Sequence, residues 1–319
     1  MLSSSSHVVS VATPYRLDLT VCALRRLSTN VVDVLTPHGQ YVRAHCGLNG
    51  PVIARVAQAS ADALMVTIEG DAAEHARTLA TVRRMLGVDR DLFQFERAAA
   101  TIPWLASLVE RMRGVRPPRY PSLWEACANA IVFQQVSLRA ASTIMHRVIV
   151  AVGQPVEVEG TPVRLYTFPT AERVQATPDS VLRSAGLSAN KMWALRRVID
   201  ALASGTLDAT TLDECASRDA AAMLRRIKGI GPWTAAVILL RGLGRLDVFP
   251  ANDTSVASNI ALVAGAAPFD VPLLLKDLGS QCGMLYFYLL LARLEARGEI
   301  GRPSAERAEP STRRVSGGD

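Results

Sequence analysis

The chain has 319 residues, of which 49% are hydrophobic and 20% are charged, and its formal net charge is +6 at pH 7. This length suits about two domains with a sizeable core. No apolar run reaches the roughly 18 residues of a membrane-spanning helix, which excludes an integral membrane protein. The positive charge is compatible with a nucleic-acid partner. The start, MLSSSSHVVSVATPYR, has no basic residue before Arg16 and no long apolar segment. No signal peptide is therefore expected, and a cytoplasmic, nucleoid-associated protein is predicted.

The cysteines argue against cross-links and metal clusters. There are five of them, and no two form a CxxC pair. The odd number disfavours a disulfide framework, and the spacing disfavours a zinc or iron–sulfur site. Neither a catalytic metal nor a cofactor is expected. Buried free thiols are predicted at Cys22, Cys46, Cys127, Cys215 and Cys282.

The first part of the chain carries the signals of a small antiparallel sheet. Apolar and polar residues alternate strictly over YRLDLTVC (15–22), which is typical of a strand with one buried face. Further strands are predicted at 41–46, 51–58 and 63–69, with LNGP as a turn between the first two, and a helix at 72–86. Residues 11–88 are thus predicted to form an N-terminal mixed β domain, preceded by a disordered stretch over 1–10.

From residue 89 onward the strand signals almost vanish and helical patterns follow one another. Ser137 is the expected N-cap of a helix over 137–153, which Gly153 ends. The other predicted helices are 122–135, 178–187, 190–205, 217–227, 232–244, 255–265 and 280–298, with a Pro- and Gly-rich loop at 154–170. The polar tail 301–319 is predicted to be disordered. The fold class is therefore α+β and mostly α, with a small antiparallel sheet domain before a helical part.

The segment IKGIGPWTAAVILL (227–240) indicates a helical hairpin that spans 217–244. Its two glycines allow positive φ and close approach of another backbone, and Pro232 suits the first turn of a helix. The free amides at that helix start would bind an anion such as a phosphodiester, with Ile230 tucked under the turn. An ordinary helix–turn–helix connection with a glycine C-cap is the alternative for the glycines alone.

The longer string LxxIxGIGPWTA, followed by GRLDVFPAND (244–253), resembles the helix-hairpin-helix motif of DNA-repair glycosylases. In that superfamily the hairpin is followed by one catalytic aspartate, and the resemblance places it at Asp253. A fixed carboxylate there can stabilise oxocarbenium character on the deoxyribose or orient a water toward C1′. The alternative for Asp253 is a plain N-cap of the next helix. Asp247 is the rival carboxylate, and its position suggests a structural role.

Trp233 stands where bifunctional members of the superfamily carry a lysine that forms a Schiff base. The chain has only three lysines, none at this position: Lys191, Lys228 and Lys276. No AP-lyase activity is expected, so the resemblance narrows to the monofunctional 3-methyladenine DNA glycosylase II family of alkylation repair. In that family an aromatic at this position lines the base pocket, where an indole can stack on a cationic methylated purine. Core packing is the alternative for Trp233. The last helix adds Tyr286 and Tyr288 as base-pocket candidates.

Two further segments resemble the same family: AIVFQQVSLRAA (130–141) and LYTFPTAERV…GLSANKMWALRRVIDAL (165–202). In the family, a residue of the QQVS turn wedges into the duplex where the flipped base has left. By position this is Gln135, with Gln134 beside it, and helix-end capping is the alternative. The DNA-binding residues that the resemblance implies are Gly229, Ile230, Gly231, Thr234, Lys228, Gln134, Gln135 and Ser137. The family's hairpin can also hold a monovalent cation through main-chain carbonyls, by position those of Arg225, Ile227 and Ile230.

The resemblance covers roughly residues 10–300 and implies a helical glycosylase core of two subdomains over 89–300. The predicted function is a monofunctional DNA glycosylase that excises alkylated purines, of the 3-methyladenine and 7-methylguanine type, by base flipping and hydrolysis. The expected partner is damaged double-stranded DNA, bound by a monomer. One alternative is a glycosylase for deaminated or oxidised bases. The other is a non-catalytic helix-hairpin-helix DNA-binding protein.

Overall fold

The computed structural model describes residues 2–251, 253 and 255–300. In these ranges a five-stranded antiparallel sheet near the N-terminus is followed by a mostly helical structure, which confirms the predicted α+β class. None of the described helices has the length and apolar character needed to cross a membrane. The tail 301–319, for which disorder is predicted, lies outside the described residues.

The sheet has the strand order β1-β5-β4-β3-β2. The predicted LNGP turn is confirmed, since Leu48 and Asn49 connect the third and fourth strands of the sheet. Val52, Ala54 and Val56 alternate with more exposed residues, so one face of the fourth strand points into the core. The strands are β1 (Leu2–Ser10), β2 (Val34–Leu35), β3 (Tyr41–Gly47), β4 (Gly50–Gln58) and β5 (Ala63–Asp71).

Two N-terminal predictions are wrong. Residues 2–10 are not disordered, because β1 pairs with β5 along its whole length. The backbone hydrogen bonds to β5 stabilise this strand, and a serine-rich sequence gives no sign of them. Residues 15–22 do not form a strand but begin a helix, α1 (Leu17–Arg25). This helix is buried on most of its sides, including Thr20 and Cys22. A helix surrounded by core does not show the 3.6-residue periodicity, and its residues can alternate like those of a strand.

The remaining helices follow the predicted ones closely, with short additions. The predicted helix 72–86 is a 3₁₀ turn, Ala72–Glu74, followed by α2. Helices α3, α4, α7, α10 and α14 have no separate counterpart in the prediction. The helices are α2 (His75–Met85), α3 (Phe93–Ala99), α4 (Pro103–Arg111), α5 (Leu123–Val132), α6 (Leu138–Val152), α7 (Ala171–Ala176), α8 (Asp179–Ser184), α9 (Ala189–Ala203), α10 (Ala209–Glu214), α11 (Ser217–Arg225), α12 (Pro232–Ile238), α13 (Val256–Ala264), α14 (Val271–Leu278) and α15 (Met284–Ala296).

Two irregular features complete the helical part. α12 continues without a break into a π-helical turn, Leu239–Leu243, which ends at Gly244 in the left-handed conformation. The predicted loop 154–170 contains two short paired strands, β6 (Pro155–Val156) and β7 (Leu165–Tyr166). Both features lie next to segments that the sequence already marks with Gly and Pro.

Helix α5 lies at the centre of the molecule. Nine of its ten residues are buried, and it packs against α9 on one side and α12 on another. One buried apolar cluster joins sheet residues such as Tyr41 and Val66 to helical residues such as Ile131 and Val198. The two sides of residue 88 therefore share a core, and the domain boundary placed there stays a prediction.

A buried ion-pair cluster ties the sheet to α5. The Arg43 guanidinium on β3 donates to the carboxylates of Asp33 and Glu125, each over 2.6 Å. All three side chains are buried. Burial raises the pKa of Glu125 to about 7; Arg43 acts against this shift and Asp33 adds to it. One guanidinium thus forms ion pairs with two buried carboxylates.

The cysteines are all free thiols. Cys22, Cys127 and Cys282 are buried, as predicted, and Cys215 is half-buried. Cys46 is exposed instead, because it lies near the outer end of β3, where the side chains turn to solvent. The described residues contain no group of three or more His, Cys, Asp or Glu side chains that could hold a metal ion.

Candidate active site

The hairpin is held together by its first glycine. Gly229 has φ +108°, and a Cβ built on it would lie 2.6 Å from the Cβ of Ala194 on α9. Ile230 is 5% exposed, which confirms that it tucks under the turn, and its N–H donates to the carbonyl of Ile227 over 3.0 Å. The Ile230 amide is thus used inside the turn. Gly229 is required by the fold itself, for both its backbone angle and its side-chain space.

The second glycine has no such structural reason. Gly231 has φ −88° and ψ −179°, a conformation open to any residue. A Cβ on Gly231 would meet nothing within 4 Å, and Pro232 follows as the first residue of α12. Lys228 is exposed on the same turn. A glycine that the fold does not need leaves room in front of the helix start for something outside the chain.

Gln134 and Thr234 lock the hairpin to the end of α5. The Gln134 side-chain amide donates to the Gly229 carbonyl over 2.8 Å and to the Thr234 hydroxyl over 2.7 Å. Thr234 is only 2% exposed. Both were predicted to contact DNA, but their polar groups are turned toward each other. This arrangement supports a structural role for the pair.

Gln135 and Ser137 differ from Gln134 in their surroundings. Gln135 is exposed and has φ +54°, a left-handed conformation that is uncommon outside glycine. Ser137 is exposed too, and its hydroxyl accepts the N–H of Ala140 over 3.2 Å, which confirms it as the N-cap of α6. The turn therefore presents the Gln135 side chain outward, next to the hairpin that Gln134 holds.

Asp253 and Trp233 are in direct contact. The indole N–H of Trp233 donates to Asp253 Oδ2 over 3.0 Å. The backbone N–H and the hydroxyl of Ser255 both donate to Asp253 Oδ1, over 2.8 and 2.7 Å. Asp253 and Trp233 are each half-buried. Ser255 directly precedes α13, so Asp253 stabilises the start of this helix by accepting the Ser255 amide. Its other oxygen faces the hairpin. Asp247, the rival carboxylate, is exposed.

The two candidate tyrosines of α15 lie in different surroundings. Tyr288 is fully buried and stacks on Phe95, with ring centroids 5.2 Å apart. Two residues on a helix point about 200° apart, so the packing that takes Tyr288 into the core turns Tyr286 another way. Tyr286 is half-buried. This removes Tyr288 from the predicted base pocket.

Tyr286 lies beside two arginines that the sequence did not single out. Burial acts to raise the pKa of the Tyr286 hydroxyl, but the Arg26 and Arg241 guanidinium groups outweigh it and lower that pKa. Arg26 is buried with φ +64°, and its guanidinium lies 3.8 Å from the centroid of the Phe133 ring. Arg241 is buried on the π-helical turn and donates to backbone carbonyls of α1. Among the described residues, neither arginine forms an ion pair with a carboxylate.

No sequence signal marks Arg26 or Arg241. A buried arginine without a carboxylate partner is rare. The residues that surround these two arginines come from α1, α5 and α15, which are distant from one another in the chain. Both sites could be found only after these helices were placed. Ser255, by contrast, lies two residues after the predicted aspartate, and inspection of the N-cap pattern could have found it.

Known proteins resemble the chain in sequence and in fold. It is 36% identical over 176 residues to a probable bifunctional transcriptional activator/DNA repair enzyme AlkA of Mycobacterium tuberculosis, a match that covers 54% of this chain and 34% of that protein. It is 28% identical over 182 residues to the DNA-3-methyladenine glycosylase of Bacillus subtilis, covering 57% of this chain and 59% of the relative. The chain thus spans less than two thirds of either relative. No family model matches it.

The fold has a counterpart among solved structures. The 3-methyladenine DNA-glycosylase from Archaeoglobus fulgidus superimposes with a TM-score of 0.75 at 23% identity, over 91% of this chain and 99% of that one. The sequence relatives and the shared fold agree with the hairpin, which carries Trp233, and with Asp253 in the loop that follows it. In sequence the chain is thus similar to DNA-3-methyladenine glycosylases, and it shares the fold of one of them.

Proposed function

We propose that the protein is a monofunctional DNA glycosylase that removes alkylated purines from duplex DNA. The observation that carries the proposal is the Asp253 carboxylate, held by three donors, one of which is the indole N–H of Trp233 on the hairpin. In the proposed reaction the bond between C1′ and the base nitrogen breaks as the base leaves. The carboxylate stabilises the positive charge that develops on the sugar, and a water completes the hydrolysis at C1′. A methylated purine is already a good leaving group, so this modest machinery suffices.

The DNA contacts that we propose follow from the hairpin and the neighbouring turn. Gly231 leaves open space at the start of α12, where a phosphate can approach the helix amides, and Lys228 is exposed beside it. Gln135 is the proposed wedge, because it is exposed and directed outward by its positive φ. Gln134 and Thr234 act indirectly, by fixing the hairpin against α5. Binding should weaken as salt rises, through release of counterions from the DNA.

The absence of lyase activity is part of the proposal. The Lys191 ammonium donates to the Val132 carbonyl over 2.7 Å, and Lys228 and Lys276 are exposed on other segments. Trp233 occupies the position at which a Schiff-base lysine would be needed. Borohydride trapping on DNA with an abasic site is expected to give no covalent adduct, and a trapped adduct would contradict this part.

The central test is single-turnover release of free base from methylated duplex DNA. Asp253→Asn is expected to lose at least about 100-fold in rate while it still binds abasic-site DNA. The exposed Asp247→Asn is the matched control and should keep the wild-type rate. Full activity of Asp253→Asn would overturn the site assignment. Absence of release by the wild type, with DNA binding intact, would favour the non-catalytic binding protein.

A second candidate substrate class is favoured by one observation. The guanidinium groups beside Tyr286 place uncompensated positive charge near a residue proposed to line the base pocket. Such charge opposes a cationic methylpurine and favours a neutral base that carries a carbonyl oxygen, as deaminated and oxidised bases do. Release rates of 7-methylguanine and hypoxanthine, measured side by side, decide between the two classes.

Three further features remain proposals. The hairpin carbonyls of Arg225, Ile227 and Ile230 are the proposed ligands of a monovalent cation, and the Ile227 carbonyl already accepts one hydrogen bond. Thermal unfolding in potassium, sodium and choline salts would test this. A cytoplasmic, nucleoid-associated location and a monomeric state complete the proposal, and sedimentation with and without duplex DNA tests the monomer.

A further inference from the structure

The Asp253 carboxylate is the end of a hydrogen-bond chain that begins on α15. The Arg293 guanidinium donates to Asn259 Oδ1 over 3.3 Å. The Asn259 side-chain NH₂ donates to Ser255 Oγ over 3.2 Å. The Ser255 hydroxyl donates to Asp253 Oδ1 over 2.7 Å. Four side chains from a loop and two helices are therefore connected in one line, and Trp233 meets its last member from the other side.

The chain can run in only one direction. A guanidinium has donors and no acceptor, so Arg293 requires that the Asn259 oxygen face it. The Asn259 NH₂ must then face Ser255, and the serine oxygen becomes an acceptor. Its single proton is left for Asp253, which as a carboxylate accepts only. Arg293 thus determines where the Ser255 proton points, although it does not touch Asp253.

The positions of these residues fit this role. Ser255 is the N-cap of α13 and Asn259 follows one helical turn later, so both lie on the same side of this helix, and α13 packs against α15. Asn259 and Arg293 are both half-buried. Within the described residues, Arg293 forms no ion pair with a carboxylate, which leaves its charge for the amide.

We propose that Ser255, Asn259 and Arg293 are positioning residues that hold the Asp253 carboxylate in the orientation needed for base release. Ser255 occupies Oδ1 with two donors, and Trp233 holds Oδ2 with one. A carboxylate held on both oxygens cannot rotate, so its free lone pairs keep one direction. Pre-organisation of this kind lowers the cost of stabilising charge in the transition state. The inference rests on the proposed glycosylase function.

Four variants separate the steps of the chain. Ser255→Ala removes the last donor and should slow single-turnover base release about 10- to 100-fold. Asn259→Asp keeps the size and the bond to Arg293, but a carboxylate would accept the Ser255 proton and turn it away from Asp253; a loss of about 10-fold is expected. Arg293→Met should also slow release. Arg293→Lys keeps a donor toward Asn259 and should stay within about twofold of wild type.

The matched control lies on the same helix. Ser258 is exposed, and its hydroxyl donates only to the Ser255 carbonyl, outside the chain. Ser258→Ala should release base at the wild-type rate. In the chain variants the maximal rate should fall while the DNA concentration that gives half of it stays unchanged. A purely structural role would instead lower thermal stability and affect binding and rate together.

A second readout does not depend on activity. The Trp233 indole N–H bonds to the same carboxylate, so its NMR resonance reports the orientation of Asp253. The chain has four tryptophans, and the signal that Trp233→Phe deletes identifies the one of interest. This resonance should move in Ser255→Ala and Asn259→Asp, and stay in place in Arg293→Lys and Ser258→Ala.

The two readouts distinguish the possible failures. An unmoved indole resonance in Ser255→Ala and Asn259→Asp overturns the positioning role, whatever the rates. Wild-type rates in both variants overturn it as well. A moved resonance in a protein that releases no base supports the directed hydrogen-bond chain and counts against the proposed function alone.

Discussion

Gly229 of the hairpin and Ala194 of α9 are so close that any side chain at residue 229 would overlap the alanine methyl group. The first glycine of the pair thus serves the fold, whereas Gly231 faces open space. We expect Gly229→Ala to lower the free energy of unfolding by about 2 kcal/mol or more, from overlap and positive φ combined. Gly231→Ala should leave it nearly unchanged and weaken DNA binding several-fold. Urea unfolding and DNA titration of both variants test this, and equal stability losses would contradict it.

Trp233 is expected to act through its N–H as well as its ring. Trp233→Phe keeps an aromatic face but removes the donor to Asp253, so base release should slow about 10- to 100-fold. The exposed Trp193→Phe is the control and should have no effect. Single-turnover rates for the two variants give the comparison. A wild-type rate for Trp233→Phe would mean that the bond to Asp253 does not contribute.

The two glutamines of the QQVS turn should separate into a structural and a functional residue. Gln134→Ala loses two hydrogen bonds to the hairpin and should destabilise the protein by about 1–2 kcal/mol. Gln135→Ala should change stability by less than about 0.5 kcal/mol, since the side chain is exposed, but should slow base release from a paired duplex. Release from a duplex with a mismatched lesion should suffer less. Equal losses of stability would contradict the assignment.

Glu125 should make stability depend on pH. Its folded pKa of about 7 lies above the ordinary value of 4.5, so the folded protein binds this proton more tightly than the unfolded chain. The free energy of unfolding should therefore fall as pH rises from about 4.5 to about 7, by roughly 1–3 kcal/mol. Glu125→Gln cannot titrate and should lack this component. Urea unfolding of both proteins at pH 5 and pH 8 tests the sign, and parallel pH curves would contradict it.

The predictions from sequence that held were those with a local cause. Strands β3 to β5, the hairpin and the N-cap at Ser137 follow from alternation, from glycine and proline positions and from capping chemistry within a few residues. These features are specified by short stretches of chain, and tertiary contacts reinforce them.

The sequence by itself determined the helical hairpin and the mostly helical class, whereas the catalytic role of Asp253, which the resemblance implies, stays a prediction. Only the tertiary structure decided that residues 2–10 form an edge strand, that residues 17–25 form a helix and that Tyr288 belongs to the core. Edge strands depend on a distant partner, and a helix surrounded by core has no polar face to reveal its period. The charge beside Tyr286 and the chain from Arg293 to Asp253 likewise join residues far apart in sequence. Contacts of this kind depend on how the helices pack in three dimensions, and a local sequence pattern does not predict them.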